Sequence, residues 1–130
     1  MTASARAVEL SRAAGSAAAD KLATDVIAID VSEHVVITDV FLIASVANER
    51  QVRGVVDAIE ERLHQLGVKS GRREGLRDGR WVLLDFGELV VHVQHREERA
   101  FYAIERLWKD CPTIPLDLEP AGIAAAEGEL

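Results

Sequence analysis

The sequence predicts an α/β fold of the α+β kind: a single mixed β-sheet of four to five strands packed with three helices. Three observations lead there. Apolar residues recur at helical spacing in three stretches, and short runs rich in Val, Ile and Leu lie between them. Residues 81–93, W-V-L-L-D-F-G-E-L-V-V-H-V, read as two strands folded back through a tight turn. The order is helix, strand, strand, helix, an optional short strand, strand, strand, helix, with no internal repeat.

The first helix is expected over residues 4–22, with Val8, Leu10, Ala14, Ala18 and Leu22 as a thin apolar stripe that Gly15 weakens. Asp25 to Val31 is apolar on both faces at its centre, as in an internal strand, and Val35 to Ile37 extends it. Asp39 to Val46 is a second buried strand. Asn48 to Leu66 is the clearest helix: Val52, Val55, Val56, Ile59, Leu63 and Leu66 keep helical spacing, Asn48 and Gln51 form a capping pattern, and Gly67 suits the position past its end. Residues 68–79 are a polar, Gly-punctuated connection with one short strand around 68–73. The third helix is expected over Glu97 to Asp110, with Phe101, Ile104, Leu107 and Trp108 on one side and Cys111-Pro112 as its stop. Ile114 to Leu116 is a short extended segment. The domain is placed at 1–115, and 116–130 is expected to be a flexible acidic tail.

The hairpin carries the most information. With Gly87-Glu88 as a two-residue loop, Leu84 pairs with Val91, Leu83 with His92 and Trp81 with Gln94, and alternation sorts the residues onto two faces. Val82, Leu84, Phe86, Leu89, Val91 and Val93 make a wholly apolar face that belongs on a core. Trp81, Leu83, Asp85, Val90, His92 and Gln94 make a mixed face, where an acid and an imidazole lie among apolar groups and a large aromatic. A site or an interface uses such a face.

Bulk properties narrow the function. At 130 residues the chain fits one domain, and its apolar content of 48% is that of a globular protein. No stretch approaches the roughly 20 apolar residues of a membrane span, and the Ala-rich N-terminus is interrupted by charges, so a cytoplasmic protein is expected. One cysteine excludes an internal disulfide framework. Of the net charge of −7, residues 111–130 carry −4 and the remaining 110 residues only −3. Nonspecific nucleic-acid binding wants a basic footprint, which the chain as a whole lacks.

Candidate chemistry is sparse. His92 and His95, three residues apart on a strand, point to opposite faces and do not share an ion, and no Cys pair completes a zinc site. His95 reads as a solvated strand end, and His34 and His64 as surface residues. Cys111 sits at a helix C-terminus, where the dipole disfavours a thiolate. Asp85 and His92 form either an acid–base pair or an orienting hydrogen bond on a binding surface; with no Ser or Cys on that face, the second reading is preferred. Lys69, Arg72, Arg73, Arg77 and Arg80, diluted by Glu74 and Asp78, make a net +3 loop that either touches RNA backbone or is solvated. Trp108 reads as core, and Trp81 as core or an interface anchor.

I-A-I-D-V (27–31), I-T-D (37–39), the Arg50-Gln51-Val52 helix start, the 81–93 hairpin and R-A-F-Y-A-I-E-R-L-W (99–108) together resemble the bacterial ribosomal silencing factor family, also called ribosome-associated or Iojap-like. The likeness covers roughly residues 5–110. It implies a non-enzyme without cofactors that binds the large ribosomal subunit through ribosomal protein fourteen, with a minor contact to ribosomal RNA. It blocks subunit joining by bulk, represses translation when nutrients are short, and is commonly a homodimer. The implied fold is nucleotidyltransferase-like without the catalytic acids, and no Asp-x-Asp occurs in the chain. The alternatives are a nucleotidyltransferase-type phosphate-handling enzyme, from fold analogy alone, and a small RNA-binding module using residues 69–80. The partner-contact residues implied are Trp81, Leu83, Asp85, His92, Tyr102 and Glu105. Val46 stands where members usually carry Gly, so the turn after that strand is expected to differ in shape.

Overall fold

The computed structural model describes residues 2–118. Helix α1 (Ala5–Asp20) is followed by β1 (Thr24–Asp30) and β2 (Val40–Val46), then α2 (Glu49–Gln65) and the short β3 (Arg72–Glu74). The hairpin strands β4 (Trp81–Asp85) and β5 (Leu89–His95) lead into α3 (Arg96–Tyr102) and a 3₁₀ turn, Ile104–Trp108. The five strands form one sheet in the order β1-β2-β5-β4-β3. Neighbours are antiparallel except β2 and β5, so the sheet is mixed as predicted.

The hairpin register is the one read from the sequence: Trp81 faces Gln94, Leu83 faces His92 and Asp85 faces Val90. The Phe86 N–H donates to the Leu89 carbonyl at 2.8 Å. Gly87 takes φ +90° while Glu88 stays at negative φ, the pattern of a type II′ turn. Gly75 is required for a second reason: at φ +88°, a Cβ there would lie 2.0 Å from the Trp81 carbonyl oxygen. The connection before β4 crosses the strand at van der Waals contact, which fixes where Trp81 begins.

Alternation then divides the molecule. Val40, Leu42, Ala44 and Val46 of β2 join Val82, Leu84, Leu89, Val91 and Val93 on the face that meets α1 and α2. From α1 come Ala7, Leu10, Ala14, Ala17 and Ala18, and from α2 Val52, Val55, Val56, Ile59 and Leu63. Small alanines let α1 lie close to both the sheet and α2. A fully buried Leu such as Leu84 contributes about 2–3 kcal/mol through removal from water. Both helices are capped from within: Ser4 Oγ accepts from the Ala7 N–H at 3.0 Å, and Asn48 Oδ1 from Gln51 at 2.8 Å. Gln51 also donates to the carbonyls of Lys21 and Leu22, each at 3.0 Å, tying the end of α1 to the start of α2.

Several boundaries differ from the sequence expectation. The first helix stops at Asp20, and Leu22, expected in its stripe, is 65% exposed at φ +68°. Residues 35–37 are not a strand, and Val36 and Ile37 are exposed. The short strand falls at Arg72–Glu74 rather than 68–73. The largest correction is the third helix. It ends at Tyr102, because Ala103 turns left-handed at φ +44° and its N–H closes on the Arg99 carbonyl. That turn brings Ile104 and Trp108 down onto Ile29, Val31 and Ile43, whereas Phe101 and Leu107 point outward at 80% and 76% exposure. The expected one-sided stripe is thereby split.

After the 3₁₀ turn the chain runs along the outer edge of β1. The Asp30 N–H donates to the Pro112 carbonyl at 2.8 Å and the Ile114 N–H to Ala28 at 2.9 Å, so that edge is covered. Leu116 is buried against Gly15, whose absent side chain makes room for it: a Cβ at Gly15 would stand 3.2 Å from Leu116 Cδ1. Of the tail expected over 116–130, residues 119–130 lie outside the described residues.

The two glycines inside helices should respond in opposite senses. Gly54 has open space at its missing Cβ, so Gly54→Ala should stabilise by about 0.5–1 kcal/mol through backbone entropy alone. Gly15→Val should destabilise by roughly 1–3 kcal/mol through overpacking on Leu116. Urea midpoints of the two variants check both signs.

Candidate functional site

The second face of the sheet is organised by rings. Phe101 lies 4.9 Å from Tyr102, Tyr102 5.0 Å from Trp81, and Trp81 6.0 Å from His92 (centroid distances). From His92 the series continues to Phe41 at 5.4 Å, to Trp108 at 5.5 Å and to His34 at 6.5 Å. Five of the six Phe, Trp and Tyr residues in the chain thus share one continuous run, Phe86 being the exception. Tilted and edge-to-face contacts of this kind add about 0.5–1.5 kcal/mol per pair to simple burial. Toward one end Trp108 is half-buried beside Ile43, and His34 beyond it is exposed. The other end is open: Tyr102 is 53% exposed and Phe101 more so. Beside that open end, Gly75, Asp78, Arg80, Trp81, Glu98 and Tyr102 line a shallow cleft of about 400 Å³.

The centre of the run is a hydrogen bond. Trp81 Nε1–H donates to His92 Nδ1 at 3.1 Å. An indole only donates, so Nδ1 is the acceptor and the imidazole proton sits on Nε2. Burial pushes the His92 imidazole down to about 4, which keeps it neutral at pH 7. The bond runs along the diagonal of the β4–β5 ladder, since His92 is directly opposed to Leu83. His92 thus touches the exposed end of the run only through Trp81, whose indole N–H it binds with the two rings tilted by 54°.

The other implied residues divide by position. Trp81, Leu83 and Asp85 are half-buried along β4. Asp85 Oδ1 accepts from the Gly87 N–H at 2.9 Å and so braces the hairpin turn. Asp85 binds the Gly87 N–H and His92 the Trp81 indole, so among the described residues neither the acid–base pair nor the preferred orienting bond between Asp85 and His92 forms. Glu105 is half-buried and accepts from Arg99 Nε at 3.1 Å, so its charge is compensated inside the molecule.

The basic loop is also largely neutralised. Arg80 binds Glu98 and Glu97 at 2.8 Å and Glu49 at 3.3 Å, which raises its pKa further. Arg73 pairs with Glu60 at 3.1 Å and Arg72 with Glu74 at 3.2 Å. His95 corrects its expectation as a solvated end. It is 9% exposed, and its Nδ1 caps α3 by accepting from Glu97 N–H at 3.1 Å. His95, Glu97 and Glu98 bring ligand atoms within 4.8 Å of one another, yet that nitrogen is engaged and both carboxylates hold Arg80. Cys111 is half-buried near Trp108, and desolvation together with Asp110, Asp30 and Glu33 raises its thiol.

Two residues were not singled out from the sequence. Arg99 is 8% exposed and donates from Nη1 to the Asp25 carbonyl at 2.8 Å and to Ser45 Oγ at 2.9 Å, besides its bond to Glu105. Gln94 is fully buried, and both atoms of its amide lack a hydrogen-bond partner. The available signal for Arg99 was its place in the 99–108 segment.

The depressed His92 imidazole sets a pH signature. The unfolded chain takes up its proton near pH 6.5 and the folded chain only near 4, so this contribution is complete above pH 6.5 and is lost as pH falls toward 4. Stability should drop by roughly 3 kcal/mol over that window from this group. His92→Phe should flatten that part of the profile, as read by urea unfolding at pH 7 and pH 5.

Comparison with known proteins agrees with this architecture. The family described as Ribosomal silencing factor during starvation (RsfS) matches residues 4–129. The ribosomal silencing factor RsfS of Halalkalibacterium halodurans is 39% identical over 109 residues, covering 84% of this chain and 93% of that one. A crystal structure of a Chromobacterium violaceum protein superposes with a TM-score of 0.75 at 34% identity, covering 78% of this chain and 84% of that one. A mouse protein named for mitochondrial assembly of the ribosomal large subunit is 30% identical over 89 residues, covering 66% of this chain and 39% of its own length. A match across nearly the whole chain, on the segments that build the hairpin and the ring series, means that this chain belongs to the ribosomal silencing factor family.

Proposed function

We propose that the protein binds the large ribosomal subunit through ribosomal protein fourteen, blocks joining of the small subunit by its bulk, and so represses translation under nutrient limitation. The observation that carries this reading is the aromatic face of the sheet, packed onto Ile43 at Trp108 and exposed at Tyr102 and Phe101 beside Trp81. Half-buried Trp and exposed Tyr beside a cleft are the residue types that anchor protein interfaces. Leu83 and Asp85 extend the surface along β4, His92 bonds its central ring, and Glu105 is the acidic residue assigned to the contact. A net charge of −7 suits a basic ribosomal protein better than a phosphate backbone. The internal pairing of Arg72, Arg73 and Arg80 leaves RNA a minor contact. The family membership and the mouse relative's name support the choice of subunit.

The mechanism needs affinity and bulk, and no catalytic group. It operates in the cytoplasm as a homodimer, and the packed domain, whose core runs on through Leu116, supplies the bulk.

Tyr102→Ala and Trp81→Ala should each weaken binding to purified large subunits by about tenfold or more, the scale of an interface hot spot. Circular dichroism should be unchanged, because both rings lie off the face that holds α1 and α2. Gradient sedimentation of mixed subunits should show less joining with the native protein than with either variant. Undiminished joining with the native protein would reject the mechanism, and full binding by both variants would reject the surface.

A further inference from the structure

We propose that Arg99 is a positioning residue for partner docking: it latches α3 to the sheet and thereby sets Tyr102 against Trp81. The proposal rests on the docking surface assigned above.

The way α3 is held differs from the other helices. Helices α1 and α2 are seated by apolar residues that are almost entirely inaccessible. In α3 the sole buried residue is Arg99, and the 3₁₀ turn after it has none. Its large apolar side chain Phe101 points to solvent. Within α3 itself hydrophobic burial does little; the apolar anchors Ile104 and Trp108 lie beyond the break at Ala103 and leave the seat of α3 on the sheet to polar bonds. Arg99 makes them to three separate elements: the Asp25 carbonyl of β1, the Ser45 hydroxyl of β2 and Glu105 beyond the break. Beside Ser45 in the parallel register, Gln94 is buried with an amide that bonds to nothing, so it does not share the task. The outer rim of α3 has Arg80 on Glu97 and Glu98, but those groups are partly exposed and screened by water.

A planar guanidinium holds five donors in a rigid fork, so it bridges three acceptors in one fixed geometry, where an ammonium on a flexible stem imposes no such plane. The bridge spans both sides of the left-handed turn, since Arg99 precedes Ala103 and Glu105 follows it. It therefore fixes both the seat of α3 and the direction in which the chain leaves it. Tyr102, the last residue of α3, takes its position over Trp81 from that geometry. Arg99 itself, buried at 8% exposure, reaches a partner only through the ring it places.

The test is a cycle of variants measured for binding to purified large subunits. Arg99→Met keeps the aliphatic stem and removes the bonds, and should weaken binding about tenfold. Ser45→Ala removes one bond at a residue only 1% exposed, which no partner can touch, and should weaken binding about threefold. Because both act through Tyr102, the double variant Arg99→Met/Tyr102→Ala should bind no more weakly than Tyr102→Ala alone. Full binding by Ser45→Ala and Arg99→Met, or a double variant whose loss is the product of the two single losses, overturns the positioning role. If Tyr102→Ala itself binds normally, the docking surface fails first, and that outcome is distinct from either of those.

Discussion

The turn at Gly87-Glu88 fixes the register of β4 on β5, and that register decides what each face of the sheet can do. A slip of β4 by one residue would exchange its faces: Val82 and Leu84 would leave the helices, and Trp81 and Leu83 would replace them. The exchange is blocked from several sides. Gly87 supplies the positive φ, Asp85 braces the turn N–H, and Gly75 allows the incoming chain to cross at the Trp81 carbonyl. The apolar face then has α1 and α2 to cover it, and the mixed face is left for rings.

The two faces are held by different physics, and the difference bears on function. On the helix face, stability comes from burying aliphatic residues, a non-directional force that tolerates no opening without loss of the core. On the ring face, directional contacts dominate: the Trp81–His92 hydrogen bond, edge-to-face pairs and the Arg99 bridge. A docking surface built this way has a defined shape while remaining separate from the main core. Substitutions on it can change affinity without unfolding the protein, as the proposed docking role requires.

Much of this was legible in the sequence, and the parts that were not have physical reasons. Alternation on a hairpin is a strict rule, so the register and both faces came directly from residues 81–94. The α2 stripe and its Asn48 cap were equally plain. The third helix misled because Phe101, Ile104, Leu107 and Trp108 do keep helical spacing. Tertiary packing of Ile104 and Trp108 overrode that pattern at Ala103, a residue with no turn signal of its own. Arg99 escaped notice because a cation at helical spacing ordinarily means solvent, and its three acceptors lie far apart in sequence. The loop arginines looked like a basic patch because their partners Glu49, Glu60, Glu97 and Glu98 sit on other elements. Gly15 read as a weakness in a helix and proved to be the seat of Leu116.

The account stands on the ring face being the surface that meets the large subunit, and hydroxyl-radical footprinting tests this most directly. Oxidation of individual side chains would be compared for the free protein and for the protein bound to large subunits. Trp81, Phe101 and Tyr102 should become protected, while Leu22, Val36 and Ile37, exposed elsewhere on the molecule, should react as before. Protection of Leu22 or of Val36 and Ile37, with Trp81 and Tyr102 as reactive in the complex as in the free protein, would contradict it.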